Sequence, residues 1–218
     1  MTTWAIIPVK HLNEAKSRFS KVLDAENRRR LVLAMLADML NAVRKAPSIS
    51  GTTVVSQDRK VLDFAQLNGA FVLIEPDLGL NGALKMAIEH AVDLGATSVL
   101  LLPGDLPLLK AADIENMTAM ASAKRNVVIA PSKDNGTNAL LLRPPDVMDL
   151  KFGGESFSLH VAEAIRAGIK PHIYHSQTVT FDVDEPEDLL KIETLGPGTK
   201  THEFLISQAK SSPYLKMK

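Results

Sequence analysis

Short apolar runs alternate with longer amphipathic segments along most of the chain. The runs at 5–9, 52–56, 71–74 and 98–102 have the length of strands, and the last has no polar residue at its centre. In the segment 24–45, apolar residues recur at spacings of three and four, which places them on one face of a helix. Such alternation is typical of β-α units. We therefore predict an α/β fold with three layers, in which helices flank a mainly parallel, mixed sheet.

The second half of the chain gives further elements. The predicted ones are helices at 61–67, after Asn81 and at 156–168, strands at 127–130, 139–142, 173–174 and 179–183, and a last helix at 184–195. The Asn135-Gly136 pair favours a tight turn, so the strands on either side of it are expected to form a hairpin. Ser156 is expected to cap its helix. Residues 1–218 are predicted as one domain, with a tail at 196–218 that is either mobile or packed on a neighbouring subunit.

Composition and charge narrow the classes of function. The chain has 218 residues, 45% of them hydrophobic and 23% charged, which is ordinary for a globular protein. It has no cysteine, which excludes thiol catalysis, disulfides and cysteine-ligated metals. Twenty-five basic residues balance twenty-five acidic ones, so the positive field of a nucleic-acid binder is missing. We expect a small-molecule partner rather than a nucleic acid.

Targeting and nucleotide-binding motifs are also informative. No apolar run approaches the roughly 20 residues of a membrane-spanning helix, and no secretory signal begins the sequence. We therefore expect a cytoplasmic protein without a membrane partner. No Gly-x-Gly-x-x-Gly follows the first strand, and no Gly-x-x-x-x-Gly-Lys-Ser/Thr occurs, which argues against a dinucleotide dehydrogenase or a P-loop enzyme.

Three cations follow the first predicted strand, namely Lys10, Lys16 and Arg18. In an open α/β sheet, ligands bind beyond the carboxyl ends of the strands. Lysine supplies a point charge and arginine a planar fork of donors, and proteins use both to neutralise phosphate oxygens. This segment is therefore a candidate polyphosphate site, and a solvated basic loop is the alternative.

Carboxylates lie after two other predicted strands. Asp105 follows the buried central strand through a proline-glycine turn, where it could hold Mg²⁺ against phosphate oxygens or cap the next helix. Asp182 and Asp184 would share one face of a strand. Asp184 with Glu187 also fits a capping box. Two carboxylates on one magnesium would suit phosphoryl transfer, with the choice between Asp182 and Asp184 left open.

A glycine-rich segment at 152–156 leads into the helix that begins near Ser156. Backbone amides at such a helix start form an anion site, and the serine hydroxyl adds a donor. His160 and Glu163 share a helical stripe with Ser156. His160 is either a proton carrier or a structural hydrogen-bonding residue that Glu163 orients, and the second interpretation is favoured.

Six motifs, and the order in which they follow one another, resemble those of the 2-phospho-L-lactate guanylyltransferase family. They are Ile-Pro-Val-Lys with Ala-Lys-Ser-Arg-Phe, Gly-Leu-Asn, Pro-Gly-Asp-Leu-Pro, Asn-Gly-Thr-Asn, Phe-Gly-Gly-Glu-Ser-Phe-Ser-Leu-His and Asp-Val-Asp-Glu-Pro-Glu-Asp-Leu, within residues 5–195. Each is weak alone, and their order makes the resemblance specific. Many relatives read Asp-Gly-Thr-Gly-Thr-Asn at 133–138, so this loop is altered here.

The resemblance implies a nucleotide-diphospho-sugar transferase-like fold, with a glycosyltransferase-A-like sheet, in a homodimer. It implies condensation of GTP with (2S)-2-phospholactate to lactyl-2-diphospho-5′-guanosine and pyrophosphate, in the biosynthesis of the deazaflavin coenzyme F-420. Carried over by position, triphosphate binding falls to Lys10, Lys16 and Arg18, magnesium binding to Asp105 and Asp184, the nucleoside side to Asn81 and Gly82, and acceptor binding to Thr137, Gly153 and Ser156. The three cations and Asp105 would form the catalytic set.

Two alternatives stay open. One is a related nucleotidyltransferase that uses phosphoenolpyruvate, another phosphorylated acid or another nucleotide. Phosphoenolpyruvate and 2-phospholactate each carry one phosphate and one carboxylate, so local charge does not separate them. The other is a catalytically silent nucleotide-binding module, which would keep the basic loop but would not need both Asp105 and Asp184.

Overall fold

A computed structural model describes the backbone of residues 2–211 and the side chains of residues 2–208. Its strands are β1 (Thr3–Pro8), β2 (Ile49–Ser56), β3 (Phe71–Ile74), β4 (Ser98–Leu101), β5 (Asn126–Pro131), β6 (Thr137–Arg143) and β7 (His172–Ile173). Its helices are α1 (Ala25–Arg44), α2 (Arg59–Leu67), α3 (Gly79–Asp93), α4 (Ala111–Met120), α5 (Ser156–Arg166), α6 (Gln177–Thr180), α7 (Asp188–Leu195) and α8 (Lys200–Ser211). Within the described residues, no helix combines the length and the apolar character that crossing a membrane requires.

The seven strands form one sheet in the order β3-β2-β1-β4-β6-β5-β7. Strand β6 is antiparallel to both of its neighbours, and the other pairings are parallel. The prediction of a mainly parallel, mixed sheet is confirmed. Because β1, β2, β4 and β5 run in the same direction, the segments that follow them meet at one edge of the sheet. The turn of the predicted β5-β6 hairpin lies at that edge too.

The core consists of two apolar layers, one on each face of the sheet. Helices α1, α2, α4 and α7 cover one face, and α3 and α5 cover the other. Strand β4 contributes Leu100 to the first layer and Val99 and Leu101 to the second, and all three are buried. Burying a side chain of this size contributes about 1.5–3 kcal/mol. The interpretation of this segment as a central strand buried on both faces is confirmed.

Helix α1 begins where the sequence predicts, because the Asp24 side chain accepts a 2.7 Å hydrogen bond from the Asn27 N–H. Asp38 on α1 is buried. Its carboxylate accepts from the Lys200 N–H at 2.6 Å and from the Thr201 N–H at 2.9 Å. Asp38 therefore caps α8, an element that the sequence analysis did not assign. The remainder of the proposed tail, 212–218, lies outside the described residues.

Three elements near the end of the chain differ from the predictions. The predicted strand at 179–183 is wrong, since α6 occupies 177–180 and residues 181–187 are not in a strand. The last predicted helix begins at Asp188 rather than at Asp184. Ser156 is the first residue of α5, and the cap position belongs to Glu155, whose φ is 54°. Ser176 and Thr178 cause the first difference, because both hydroxyls donate to the buried carboxylate of Asp113 and hold this segment in a turn.

Candidate active site

The loop after β1 is fastened to the neighbouring strand and helix. The Val9 N–H donates to the Val55 carbonyl at 2.9 Å, and the Leu12 N–H donates to the Asp58 carboxylate at 3.0 Å. Lys10 is exposed just beyond β1. Lys16 adopts a left-handed backbone conformation, with φ at 54°, immediately before a short 3-10 helix. This turn directs the Lys16 side chain back toward the sheet, where it is 10% exposed.

The Lys16 ammonium lies between two carboxylates. Its Nζ donates to Asp105 Oδ2 at 2.8 Å and to Asp184 Oδ1 at 3.0 Å. The Val183 N–H also donates to the Asp105 carbonyl at 3.2 Å, which joins the two carboxylate-bearing segments. A Cβ at Gly104 would lie 3.1 Å from the Pro8 carbonyl oxygen, so glycine permits the close approach of the loops after β1 and β4. The structure thus brings Lys16, Asp105 and Asp184 together.

Neither of these carboxylates serves as a helix cap. Helix α4 begins at Ala111 and has Lys110 at its N-cap, so Asp105 does not cap it. At α7, the N-cap residue is Glu187, and no side chain caps the helix. The Oδ2 of Asp188 accepts from the Asp184 and Glu185 N–H groups at 3.0 Å each, which fixes the segment before the helix. The side chains of Asp105 and Asp184 are therefore available for the site, which disfavours the capping alternatives.

Burial and charge compete in the pKa values of this cluster. Burial lowers the pKa of Lys16, but the carboxylates of Asp105 and Asp184 outweigh it and raise this pKa above its ordinary value. Burial raises the pKa of Asp184, but Lys16 outweighs it and holds this pKa below its ordinary value. Burial, together with the charges of Asp184 and Asp105, raises the pKa of Asp182 to about 6. Lys16 and Asp184 thus form a charged pair at neutral pH.

A second lysine, Lys133, lies beside this cluster and was missed by the sequence analysis. Its Nζ is 2.8 Å from Asp188 Oδ2 and 3.7 Å from Asp182 Oδ1. That Asp182 oxygen is buried and accepts no hydrogen bond within the described residues. Lys133 lies in the β5-β6 turn, at the sheet edge where open α/β sheets bind their ligands. This position is the sequence signal that could have indicated it.

Arg18 occupies the outer side of the cluster. Its Nη1 is 2.5 Å from Glu185 Oε1, in an ion pair whose two side chains are both largely exposed. Because Glu185 follows Asp184 in sequence, the pair places the guanidinium at the rim of the same site. The three predicted phosphate-binding cations therefore differ in environment: Lys16 is enclosed, whereas Lys10 and Arg18 are accessible.

The donor set fits a magnesium ion that phosphates and water complete. Oxygen atoms of Asp105 and Asp184 lie within 3.0 Å of one cationic centre, the Lys16 ammonium, so the two carboxylates already converge on a single positive charge. Magnesium is usually bound by one or two carboxylates plus substrate phosphates. Among the residues whose side chains are described, no group of three or more histidine, aspartate or glutamate side chains is arranged as a metal site. An all-protein cage is therefore not the arrangement that this site offers.

The predicted acceptor residues lie where the β5-β6 turn meets α5. The Phe157 N–H donates to the Asn135 carbonyl at 3.1 Å, which fixes the helix start against the turn. Thr137 and Ser156 are 5% and 2% exposed. The position of a Cβ at Gly136 would be 3.9 Å from Ser156 Oγ, so the turn and the serine are neighbours.

The loop at 151–155 approaches the same corner from the side of α3. Gly153 has φ of 144°, a conformation that favours glycine. Asn81 binds the loop with both ends of its amide, accepting from the Phe152 N–H and donating to the Phe152 carbonyl, each at 2.9 Å. A Cβ at Gly82 would lie 2.7 Å from Leu78 Cβ, so this helix turn has no room for a side chain. The structure therefore links Asn81 to the loop that carries Gly153, and no sequence signal indicated that contact.

His160 is fully buried between these two segments. Its Nδ1 is 2.9 Å from Thr137 Oγ1, and its Nε2 accepts from the Lys151 N–H at 3.0 Å. Burial lowers its pKa to about 4, which leaves the ring neutral at pH 7. These contacts favour the hydrogen-bonding interpretation over the proton carrier. The predicted orienting partner is wrong, however, because the carboxylate of Glu163 pairs with Arg166.

Comparison with known proteins identifies the family. The family model described as "Guanylyl transferase CofC like" matches residues 3–212, nearly the whole chain. The chain belongs to this family. It is 41% identical over 197 residues to the phosphoenolpyruvate guanylyltransferase of Rubrobacter xylanophilus, an alignment that covers 90% of this chain and 96% of the relative. It is 39% identical over 204 residues to the 2-phospho-L-lactate guanylyltransferase of Methanocaldococcus vulcanius, covering 93% and 89%.

Comparison with solved structures identifies the fold. A solved structure from Desulfovibrio desulfuricans G20, described as a nucleotide-diphospho-sugar transferase, superposes with a TM-score of 0.79 and covers 99% of this chain and 98% of that one. Its sequence identity is 18%, so the likeness establishes the fold alone. The predicted nucleotide-diphospho-sugar transferase-like fold is confirmed. With the family, it makes the chain a nucleotidyltransferase of the guanylyltransferase class. The roles of individual site residues stay predictions.

Proposed function

We propose that this protein transfers the GMP group of GTP to (2S)-2-phospholactate, forming lactyl-2-diphospho-5′-guanosine and pyrophosphate for the biosynthesis of coenzyme F-420. The observation that carries the proposal is the convergence of Asp105 and Asp184 on Lys16. It lies at the sheet edge that also presents the acceptor corner of Thr137 and Ser156. The named relative from Methanocaldococcus vulcanius supports the choice of acid. A silent binding module is disfavoured, because it would not need two converging carboxylates.

The chemistry requires orientation and charge neutralisation rather than a base. A phosphate oxygen of the acid, already anionic, forms a bond to the α-phosphorus of GTP, and the bond from that phosphorus to the bridging oxygen of pyrophosphate breaks. The pyrophosphate leaves with the bonding electrons. The main barrier is the approach of two anions, so fixed positive charge and a fixed geometry are what the protein has to provide.

The residues divide this work between two sides. Lys10, Lys16 and Arg18 would neutralise the triphosphate and the departing pyrophosphate. Asp105 and Asp184 would hold magnesium, which when bound supplies positive charge to phosphate oxygens. On the other side, Thr137, Gly153 and Ser156 would hold the acceptor's phosphate and carboxylate. Asn81 and Gly82 would lie near the nucleoside, where Asn81 also fixes the loop at Phe152.

Phosphoenolpyruvate is the second candidate acceptor. The relative from Rubrobacter xylanophilus, at 41% identity, is named for that substrate. The two acids carry the same charged groups and differ in the geometry at one carbon, so the same corner could hold either. A cytoplasmic homodimer also belongs to the proposal. The absence of cysteine in the chain is compatible with a reducing compartment.

A substrate panel tests the proposal. The purified protein is mixed with Mg²⁺, each of the four common nucleoside triphosphates and either acid, and pyrophosphate release is measured. We expect release with GTP and 2-phospholactate. Release with GTP and phosphoenolpyruvate alone would support the second candidate. Silence in every mixture from a folded protein would contradict both.

A further inference from the structure

We propose that His160 is a positioning residue that makes Thr137 a hydrogen-bond donor toward the anionic acceptor. This inference rests on the proposed function, because it takes Thr137 as part of the acceptor site. It goes beyond that function by giving His160 a task in binding the phosphorylated acid. Three observations carry it: the two contacts of the imidazole, the remaining hydrogen of the threonine, and the attachment of the acceptor loop to the same ring.

The contacts of His160 assign its tautomer. The Lys151 backbone N–H can only donate, and it lies 3.0 Å from His160 Nε2. Nε2 therefore accepts and carries no proton. A neutral imidazole has one N–H, so the proton is on Nδ1. Full burial disfavours the charged ring, which would place a second N–H against that of Lys151.

This tautomer decides the role of Thr137. The Nδ1–H group of His160 donates to Thr137 Oγ1 at 2.9 Å. The hydroxyl hydrogen cannot be donated back to a nitrogen that already carries one. Among the described residues, Thr137 Oγ1 has no other hydrogen-bond partner, so its hydrogen remains available. A buried hydroxyl group whose hydrogen has no acceptor costs free energy, so this hydrogen favours an acceptor. An anion is the strongest acceptor for it.

The surroundings of Thr137 suit an anion as well. Ser156, 2% exposed, presents a second hydroxyl close to the β5-β6 turn. It is also the first residue of the 11-residue helix α5, whose N-terminal N–H groups favour negative charge. The bound group would therefore meet donors from two side chains and a helix start.

The same ring fixes the loop that carries Gly153. His160 holds the Lys151 N–H, and the edge of the Phe152 ring packs on the imidazole with ring centres 4.7 Å apart. The Phe152 backbone in turn binds Asn81 through two hydrogen bonds. His160 thus sets the position of two proposed acceptor contacts, the Thr137 hydroxyl and the loop of Gly153. Its loss should affect the acid more than GTP.

The first test measures the tautomer in the wild-type protein. Nitrogen chemical shifts of ¹⁵N-labelled histidine distinguish protonated from unprotonated ring nitrogens, and His160→Asn assigns the resonance among the six histidines. We expect protonated Nδ1 and bare Nε2, unchanged between about pH 5.5 and about pH 8. A proton on Nε2, or titration within this range, would overturn the inference. This measurement needs no variant to remain active.

The second test separates binding of the acid from binding of GTP. We expect Thr137→Val and His160→Leu each to raise the KM for the acid by about tenfold or more, the cost of one hydrogen bond to a charged group, with the KM for GTP within about twofold. Thr137→Ser keeps the hydroxyl and His160→Asn keeps an N–H near Nδ1, so both should recover part of the loss. The double variant Thr137→Val with His160→Leu should raise the KM for the acid by less than the product of the two single effects, because part of the His160 effect acts through the Thr137 hydroxyl.

Controls separate a structural effect from the proposed one. His172→Asn alters an exposed histidine on β7 and should leave both KM values unchanged. Circular dichroism shows which variants are folded. If wild type turns over neither acid, the proposed function fails. If wild type is active but His160→Leu leaves the KM for the acid unchanged, or raises the KM for GTP equally, the inference about His160 is wrong.

Discussion

On one side of the candidate active site, Lys16 lies between Asp105 and Asp184, and the groups are charged and partly exposed. On the other side, Thr137 and His160 are buried, neutral and joined by a directed hydrogen bond. Binding on the first side depends on electrostatic attraction, which does not require one exact distance. Binding on the second side depends on a hydrogen bond, and therefore on which atom carries the hydrogen. The proposed reaction brings together phosphate groups of two substrates, so it needs both neutralisation of the triphosphate and a fixed position for the acid.

The largest expected effect comes from breaking the charged side. Asp105→Asn removes one of the two carboxylates that converge on Lys16, and we expect pyrophosphate release to fall by at least about 10²–10³-fold. The fold should persist, because Asp105 caps no helix. The matched control is Asp63→Asn, which changes an exposed aspartate on α2. An Asp105→Asn variant with wild-type turnover would remove Asp105 from the site.

The next effect concerns the neutral side and appears as a pH dependence of stability. The pKa of His160 is about 4 in the folded protein and about 6.5 in an unfolded chain. The unfolded chain therefore binds the extra proton first, so the contribution of His160 to stability is complete above about pH 6.5 and is lost as the pH falls toward about 4. At pH 5 this loss should be on the order of 2 kcal/mol.

Urea denaturation at about pH 5, 6 and 7 measures this dependence. Wild type should lose stability on acidification more steeply than His160→Asn, which has no imidazole to titrate. Other groups titrate in both proteins and cancel in the difference. Parallel curves for the two proteins would show that His160 is not held neutral.

A smaller effect should follow from removing Lys133. Its Nζ pairs with Asp188 and lies near Asp182, and the lysine side chain is 29% exposed. Lys133→Met removes the cation that lies nearest to both buried carboxylates, so we expect a loss of about 1–2 kcal/mol in the free energy of unfolding. Lys191→Met is the matched control, since Lys191 contacts the other oxygen of Asp188 at 3.3 Å and is 55% exposed. Chemical denaturation measures both variants. Equal losses in the free energy of unfolding would show that Lys133 stabilises these carboxylates no more than Lys191 does.

The smallest effect is expected at the rim. Glu185→Gln breaks an exposed ion pair with Arg18 and should change the free energy of unfolding by less than about 0.5 kcal/mol. Arg18→Gln should be equally mild for stability but should raise the KM for GTP several-fold, because the guanidinium is proposed to bind the triphosphate. An unchanged KM for GTP would place Arg18 outside the phosphate site.

The sheet and most of its helices could be predicted because their signals are local. Apolar spacing indicates α1, and the uninterrupted apolar centre of 98–102 indicates β4. The failures come from contacts that are distant in sequence. Helix α8 begins where its first two N–H groups donate to the carboxylate of Asp38, which lies more than 160 residues earlier in the chain. Asp113 likewise holds Ser176 and Thr178 in a turn immediately before residues 179–183, which were predicted to form a strand.

The candidate site divides in the same way. Strand-end positions indicated Lys16 and Asp105, because the carboxyl ends of parallel strands meet at one edge. Asp184 was assigned to the end of the predicted strand at 179–183, which the structure does not contain. The sharing of one ammonium by both carboxylates could not be predicted, since it depends on the left-handed turn at Lys16. The tautomer of His160 was equally out of reach, because it depends on the Lys151 backbone.

Labelled GTP tests most directly whether the acid attacks the α-phosphorus. Wild-type protein is incubated with Mg²⁺ and either acid, using GTP labelled in the α-phosphate in one reaction and in the γ-phosphate in another. We expect the α-label in the product that contains the acid and the γ-label in pyrophosphate. Transfer of the γ-label to the acid, or its release as inorganic phosphate, would contradict attack at the α-phosphorus.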